Sequence, residues 1–255
     1  MVDRQLVESR TLAQRLVMAG QVRVNDQVVL KPSQQIDPSV EITVDKPQPF
    51  VSRGGEKLQA ALTAFNLENL AGFTCVDVGA STGGFTDCLL QHGAERVYTV
   101  DVGYGILHWK IRNDPRVVVM ERTNARYIES FPEEINLVTI DASFISLSIL
   151  LPAVKKWIKP GNEVLTLIKP QFEVGRAEAA KTEGVIRDAL LHQKVIRQTI
   201  KEAGRDGFFI KALIRSPLLG PKGNTEFLAL WSLNLCGNDE EWMIKQIFNP
   251  KNPSD

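Results

Sequence analysis

Four charged residues close four separate predicted strands: Asp101, Glu121, Asp141 and Lys169. Open α/β sheets bind ligands outside the carboxyl ends of their strands, so one such charge marks only where a strand leaves the core, whereas four in succession mark a site. Ahead of them runs FTCVDVGASTGGFTDCLLQHGAERVYTVD, residues 73–101. Residues 73–78 are a short apolar run with β-branched and aromatic side chains, which predicts a strand. A glycine-rich turn, a helix over 85–92 and a second strand over 96–100 follow, and the second strand delivers Asp101. This is one βαβ unit, whose crossover makes its two strands parallel.

The spacing of the glycines sets the ligand chemistry. A dinucleotide fingerprint is G-x-G-x-x-G with a pyrophosphate on the helix N-terminus, but this loop is G-x-x-x-G-G. S-adenosylmethionine, with a ribose and an amino-acid portion and no phosphate, fits it better than NAD. Gly79, Ser81, Thr82, Gly83, Gly84 and the first helical residue, Phe85, are the cradle for the amino-acid portion, and Asp101 accepts from both ribose hydroxyls. Asp77, a charge inside an apolar run, requires partners and either anchors the loop or meets the methionine portion. Glu121 opens ERTNAR, where Asn124 or the backbone meets the adenine edge; an exposed turn is the other reading of Asn124. Asp141 and Lys169 are left for the acceptor side.

Strand and helix alternate through the elements that must position these groups. A short helix is predicted over 106–111, strands over 117–120 and 137–140, a helix over 146–158 and a strand over 164–168. Residues 171–183 carry charge, glycine and alanine with little apolar periodicity, the pattern of a mobile loop beside the site. An amphipathic helix over 187–203 and strands over 208–214 and 226–233 complete an α/β, doubly wound, Rossmann-like sheet with helices on both faces and an antiparallel last strand. Upstream, DKPQPFVSRGGEKL is proline-punctuated linker, its glycine pair a flexible entry to an amphipathic helix bearing Leu58, Ala61, Leu62 and Phe65.

The first 45 residues read as a separate small α+β module. Ser9 caps a helix with Leu12, Leu16 and Val17 on one face, ending at Gly20. Strands over 22–24 and 28–30 are joined by Asn25-Asp26, and a third strand covers 41–44. Residues 1–35 hold five basic side chains against three acidic ones, and on charge alone a solvated helix face explains them as well as RNA does. SRTLAQRLVMAGQVRVNDQVVLKPSQQI followed by EITV resembles an S4 RNA-binding domain, although the chain begins too late to hold that family's first helix intact. The resemblance implies a helix-to-hairpin surface that grips structured RNA through Arg10, Arg15, Arg23 and Lys31.

SRGGEKL, DVGASTGGFTD, DASFISL, LIKPQFE and GNTEFLALW together resemble the TlyA (haemolysin A) family, which joins an S4 domain to an FtsJ-like ribose 2′-O-methyltransferase. The resemblance covers nearly the whole chain. It implies a class I methyltransferase sheet, S-adenosylmethionine as cofactor, and methylation of a ribosomal RNA ribose, by family at cytidine, with ribosomal RNA or subunits as partners. It also implies a Lys-Asp-Lys-Glu tetrad, matched at Lys57, Asp141, Lys169 and Glu226. Lys169 would act on the 2′-hydroxyl and the others would orient or tune it. A lysine serves as base only if burial or a second cation lowers its pKa, and the two acids oppose that, so the protonation state at work stays open. The domain boundaries expected are an S4-like module over 1–45, a linker over 46–57, a methyltransferase domain over 58–235 and a tail over 236–255.

Composition narrows the alternatives. Lysine plus arginine and aspartate plus glutamate both number 30 in 255 residues, so any RNA binding must be local. Cys75, Cys88 and Cys236 have no metal-like spacing; no metal is expected, and Cys75 and Cys88 read as buried apolar residues in a reducing compartment. Asp3, Arg4, Glu8 and Arg10 stand where a signal peptide needs an apolar core, and no apolar run reaches the roughly 18 residues of a membrane span. A cytoplasmic protein is expected. A membrane-active haemolysin and an RNA-binding protein with a vestigial methyltransferase fold are the competing readings.

Overall fold

The computed structural model describes residues 1–45, 48–175, 184–235 and 237–248. The chain divides into two compact units, Met1–Pro49 and Phe50–Asp255.

In the first unit, α1 (Arg10–Met18) is capped by Ser9, whose Oγ accepts from Leu12 N at 3.2 Å. Strands β1 (Val22–Val24), β2 (Gln27–Val28) and β3 (Ile42–Val44) form an antiparallel sheet in the order β2-β1-β3. The β1–β2 turn is the predicted Asn25-Asp26, both residues at positive φ (47° and 64°), as a tight hairpin turn of that kind requires. The second strand is shorter than expected and stops at Val28.

The second unit is a layered α/β domain. α2 (Gly54–Ala64) precedes β4 (Thr74–Val78), α3 (Gly84–Gln91), β5 (Arg96–Val100), α4 (Trp109–Arg112), β6 (Val117–Met120) and β7 (Ile135–Ile140). Then come α5 (Leu147–Val154), β8 (Ile158–Ile168), α6 (Pro170–Glu173), α7 (Ala189–Arg205), β9 (Phe209–Arg215), β10 (Phe227–Ser232) and α8 (Glu240–Phe248). The sheet runs β6-β5-β4-β7-β8-β10-β9. The five strands β4 to β8 are parallel where they pair, and β10 enters antiparallel between β8 and β9. The expected antiparallel last strand is thus present, inserted rather than at the edge.

Strand alternation sorts the core into two faces. Val76, Val78, Val138 and Ile140 pack with α5 and α7 on one, while Cys75, Val97, Leu137, Leu165 and Leu167 pack with α2 and α3 on the other. Cys75 and Cys88 are both buried in the second layer.

Several boundaries in the second unit differ from the sequence reading. The helix expected over 146–158 stops at Val154; Ile158 pairs with Ile135, so β8 begins there and carries Pro160 and Gly161 on its exposed start. Gln171 and Glu173 of the expected loop are helical in α6, and residues 176–183 lie outside the described residues. Within the expected tail, α8 buries Met243 and Ile244 against the first core layer, and Arg197 ion-pairs with Glu241 at 2.7 Å. Finally, α2 starts at Gly54 and Phe50 is buried in the core, so residues 50–57 are built into the domain.

The glycine pair is a packing device and not a flexible entry. A Cβ on Gly55 would lie 2.2 Å from the Phe50 ring, and one on Gly84 would lie 2.2 Å from Ser52 Oγ and 3.0 Å from Gly55 N. Two helix N-termini therefore meet almost backbone to backbone. Asp87 locks the approach: its Oδ2 accepts from Val51 N at 2.9 Å and its Oδ1 faces Lys110 Nζ at 2.9 Å. Gly55→Ala separates the two readings by sign. Helix propensity alone would stabilise by about 1 kcal/mol; overpacking against Phe50 should instead destabilise by about 1–3 kcal/mol, measured by urea unfolding.

Candidate active site

The carboxyl edge of the parallel strands carries two adjoining cavities. The larger, about 510 Å³, is lined by Gly79 and Ser81 after β4, Asp101 after β5, Thr123 and Asn124 after β6, and Asp141 and Phe144 after β7, over an apolar floor that includes Val78, Val100 and Leu150. Gly79 has φ +81°, and a Cβ there would fall 2.8 Å from Asp141 O, so two strand-end loops close on each other. Asp101 is the organiser: Oδ2 accepts from Ser81 N at 2.8 Å and Oδ1 from Gly103 N at 2.7 Å. Its carboxylate oxygens retain lone pairs for further donors. A concave, mostly apolar pocket with the carboxylates of Asp101 and Asp141 at its edge and backbone approach at Gly79 fits an adenosine bearing an amino-acid tail. The residues present therefore suit S-adenosylmethionine.

The other predicted donor-side residues divide. Thr82, Gly84 and Phe85 face the second cavity. Gly83, at φ +91°, caps α3 and packs on Leu107 and Ile111. Asn124 Oδ1 accepts from Arg126 N and Nε at 3.1 and 3.2 Å, which orients its side chain at the cavity wall. Glu121 lies outside this cavity's lining. Its Oε1 accepts from Gly105 N at 2.8 Å and pairs with Arg112 at 2.5 Å, which holds the 103–105 loop. Asp77 is fully buried, and Thr86 of α3 and Thr139 of β7 donate to it at 2.6 and 3.1 Å.

The second cavity, about 330 Å³, gathers Lys57 from α2, Asp141 after β7, Lys169 after β8 and Glu226 ahead of β10. Lys57 Nζ donates to Glu226 Oε2 at 2.6 Å. Lys169 Nζ lies 2.6 Å from Asp141 Oδ1, an ion pair outside hydrogen-bond angles, and donates to Ser143 Oγ at 2.9 Å. Lys57 and Lys169 are 9% and 7% exposed, and Glu226 is fully buried. Each buried ammonium is thus matched by one carboxylate, which is the condition for holding charge in a low-dielectric site. Asp141, Gly79 and Ser81 line both cavities.

Sequence reasoning passed over several side chains at this edge. Ser143 holds Lys169. Phe144 is 90% exposed at φ +64°, its ring 4.9 Å from Phe172. Both lie in motifs used only for the resemblance. Glu173 accepts from Ser146 Oγ and Leu147 N and so ties α6 to the start of α5; burial pushes its pKa up. In the first unit, Arg10, Arg15 and Lys31 are exposed, and Arg10 and Lys31 line one cavity of about 340 Å³. Arg23 is half-buried and ion-paired with Asp45 at 3.2 Å. Among the described residues no cluster suits a metal ion, and no helix is long and apolar enough to cross a membrane.

Sheet order and paired cavities define a methyltransferase-like α/β domain. The family model for FtsJ-like methyltransferases matches residues 50–232 and that for S4 domains matches residues 1–42. The chain belongs to the FtsJ-like methyltransferases that carry an S4 domain, the TlyA (haemolysin A) family. It is 45% identical over 235 residues to YqxC of Bacillus subtilis, provisionally described as an rRNA methyltransferase, across 89% of this chain and 82% of the relative. It is 43% identical to the 16S/23S rRNA (cytidine-2′-O)-methyltransferase TlyA of Mycobacterium tuberculosis, across 91% of this chain and 87% of the relative. A solved Streptococcus thermophilus structure, provisionally described as a hemolysin, superposes with a TM-score of 0.76 at 43% identity, covering 95% of this chain and 90% of that one.

Burial raises the Asp77 pKa to about 7, against the lowering effect of the Thr86 and Thr139 hydrogen bonds. The folded state then holds more protons than the unfolded chain between about pH 4 and 7, so stability falls as pH rises through that window. Asp77→Asn should flatten this slope: its thermal midpoint should drop less than that of the unaltered protein between pH 5 and 7.5. Equal slopes would show that Asp77 is ionised throughout.

Proposed function

We propose that the protein transfers a methyl group from S-adenosylmethionine to a ribose 2′-hydroxyl, at cytidine of ribosomal RNA. The observation that carries this reading is Asp141. It lines the adenosine-shaped cavity, pairs with Lys169, and lines the second cavity where the tetrad meets. A donor in one cavity and a hydroxyl in the other would meet at this shared wall.

Bound in the first cavity, the cofactor supplies an electrophilic methyl on a sulfonium. The protein's part is alignment and charge. Lys169 meets the target hydroxyl and aims its oxygen along the transfer direction, while Asp141 and Ser143 hold Lys169. The donor would supply its methyl group to this oxygen and leave as a neutral thioether, and the hydroxyl proton would pass to solvent water. Lys57 and Glu226, paired with each other, line the same cavity. Asp101 orients the ribose of the donor; Gly79 and Ser81 admit its amino-acid end. Recruitment of RNA falls to Arg10, Arg15 and Lys31, with Arg23 committed partly to Asp45.

Lys169→Ala should lower methyl transfer to ribosomal subunits by about 10²- to 10⁴-fold while calorimetry shows donor affinity preserved. Methylation at the wild-type rate would remove Lys169 from the mechanism. Arg10, Arg15 and Lys31 replaced together by Ala should weaken RNA binding and flatten its salt dependence, whereas Arg23→Ala should do less. An unchanged salt slope in the triple variant would place the RNA surface elsewhere.

A further inference from the structure

The loop between β9 and β10 walls the second cavity through Leu218, Leu219, Gly220 and Pro221. Asn224, 3% exposed, braces it from within. Its Oδ1 accepts from Ile186 N at 3.0 Å, and its Nδ2 donates to Gly184 O at 2.9 Å and Pro221 O at 3.2 Å. Its carbonyl accepts from Gly220 N at 2.8 Å. The partners fix the amide's orientation: a backbone N–H demands an acceptor and two carbonyls demand donors, so Oδ1 and Nδ2 cannot exchange. Aspartate has the size but neither donor. Ile186 is gripped at both ends, since His192 Nε2 donates to its carbonyl at 3.1 Å and the His192 ring packs 5.6 Å from Phe227.

What this brace holds is Gly220. A Cβ at Gly220 would lie 2.0 Å from Glu226 Oε1, so the glycine backbone rests against the carboxylate. Among the described residues the buried Glu226 Oε1 has no hydrogen-bond partner, while Oε2 faces Lys57 at 2.6 Å. One oxygen is therefore fixed by a charge and the other by packing alone. If the loop relaxes, the carboxylate gains room to turn and the direction of the ion pair is lost.

We propose that Asn224 is a positioning residue of the active site: it holds Gly220 against Glu226 and so fixes the Lys57–Glu226 pair. The kinetic consequence rests on the methyltransferase reading; the placement of Lys57 does not. The test uses the full chain with ¹³C-labelled lysine, the Lys57 and Lys169 Cε signals being assigned from their methionine variants. In Asn224→Ala, Asn224→Asp and Gly220→Ala the Lys57 signal should move and the Lys169 signal should stay. Calorimetry should give S-adenosylmethionine affinity within about twofold of wild type, while kcat on ribosomal subunits falls about 10- to 100-fold and KM changes less than about threefold. The Asn224→Ala/Gly220→Ala double variant should lose no more than the worse single one, because both act through one contact.

An unmoved Lys57 signal in any folded variant of the set would overturn the proposal, as would losses that multiply in the double variant. Gly220→Ala leaves every Asn224 hydrogen-bonding group in place, so it serves if the Asn224 variants fail to fold. A Lys57 signal that moves in a protein whose wild type methylates no RNA would sink the methyltransferase reading and leave the positioning role standing.

Discussion

Two ammonium groups and two carboxylates share one poorly hydrated edge of the sheet, and such groups are tolerable only while each keeps its partner. Removing one member of a buried pair costs about 3–5 kcal/mol, so the pairing constrains the fold as strongly as it serves the site. The two pairs constrain it differently. Lys169 and Asp141 follow adjacent parallel strands, β8 and β7, and meet as a consequence of that pairing. Lys57 and Glu226 are 169 residues apart and meet only if α2 and β10 reach the same edge. That requirement makes the segment before α2 part of the domain.

Backbone contact supplies the reach. Gly84 and Gly55 let α3 and α2 abut without side chains between them, and Asp87, 36 residues from Val51, holds the segment ahead of α2 in register. Gly79 does the same between the loops after β4 and β7, bringing Asp141 into both cavities. Glycine carries a conformational cost that a flexible loop would not recover; here close packing offsets it.

Much of this was legible because parallel strands buried on both faces read as short apolar runs with visible ends. β5 and β6 match their predicted bounds, and the residues that close them, Asp101 and Glu121, stand at the edge where expected. The strand-end rule places a charge at the edge but is silent on its bonds. Asp101 lines the larger cavity while Glu121 braces the 103–105 loop. β8 began earlier than read because Pro160 and Gly161 are turn residues in isolation, and only pairing with Ile135 makes the strand start at Ile158. EEWMIKQIF, which forms α8, is short and polar-flanked, and its burial comes from non-local packing with β9 and α7. Asp87 carries no local signal of its role because its partners Val51 and Lys110 are distant in sequence.

The same physical difference separates the two halves of the site. The first cavity is built by loops that directly follow β4, β5, β6 and β7, so local pattern announces it. The second cavity adds α2, β8 and the loop ahead of β10, elements joined by long-range contacts that no local window displays. Asp141 is common to both because β7 lies beside β4 at the centre of the sheet and beside β8 at the turn toward the antiparallel strands. The β9–β10 loop touches the second cavity and not the first. Changes in that loop can therefore reshape the second cavity while the first, fixed by parallel pairing, keeps its form.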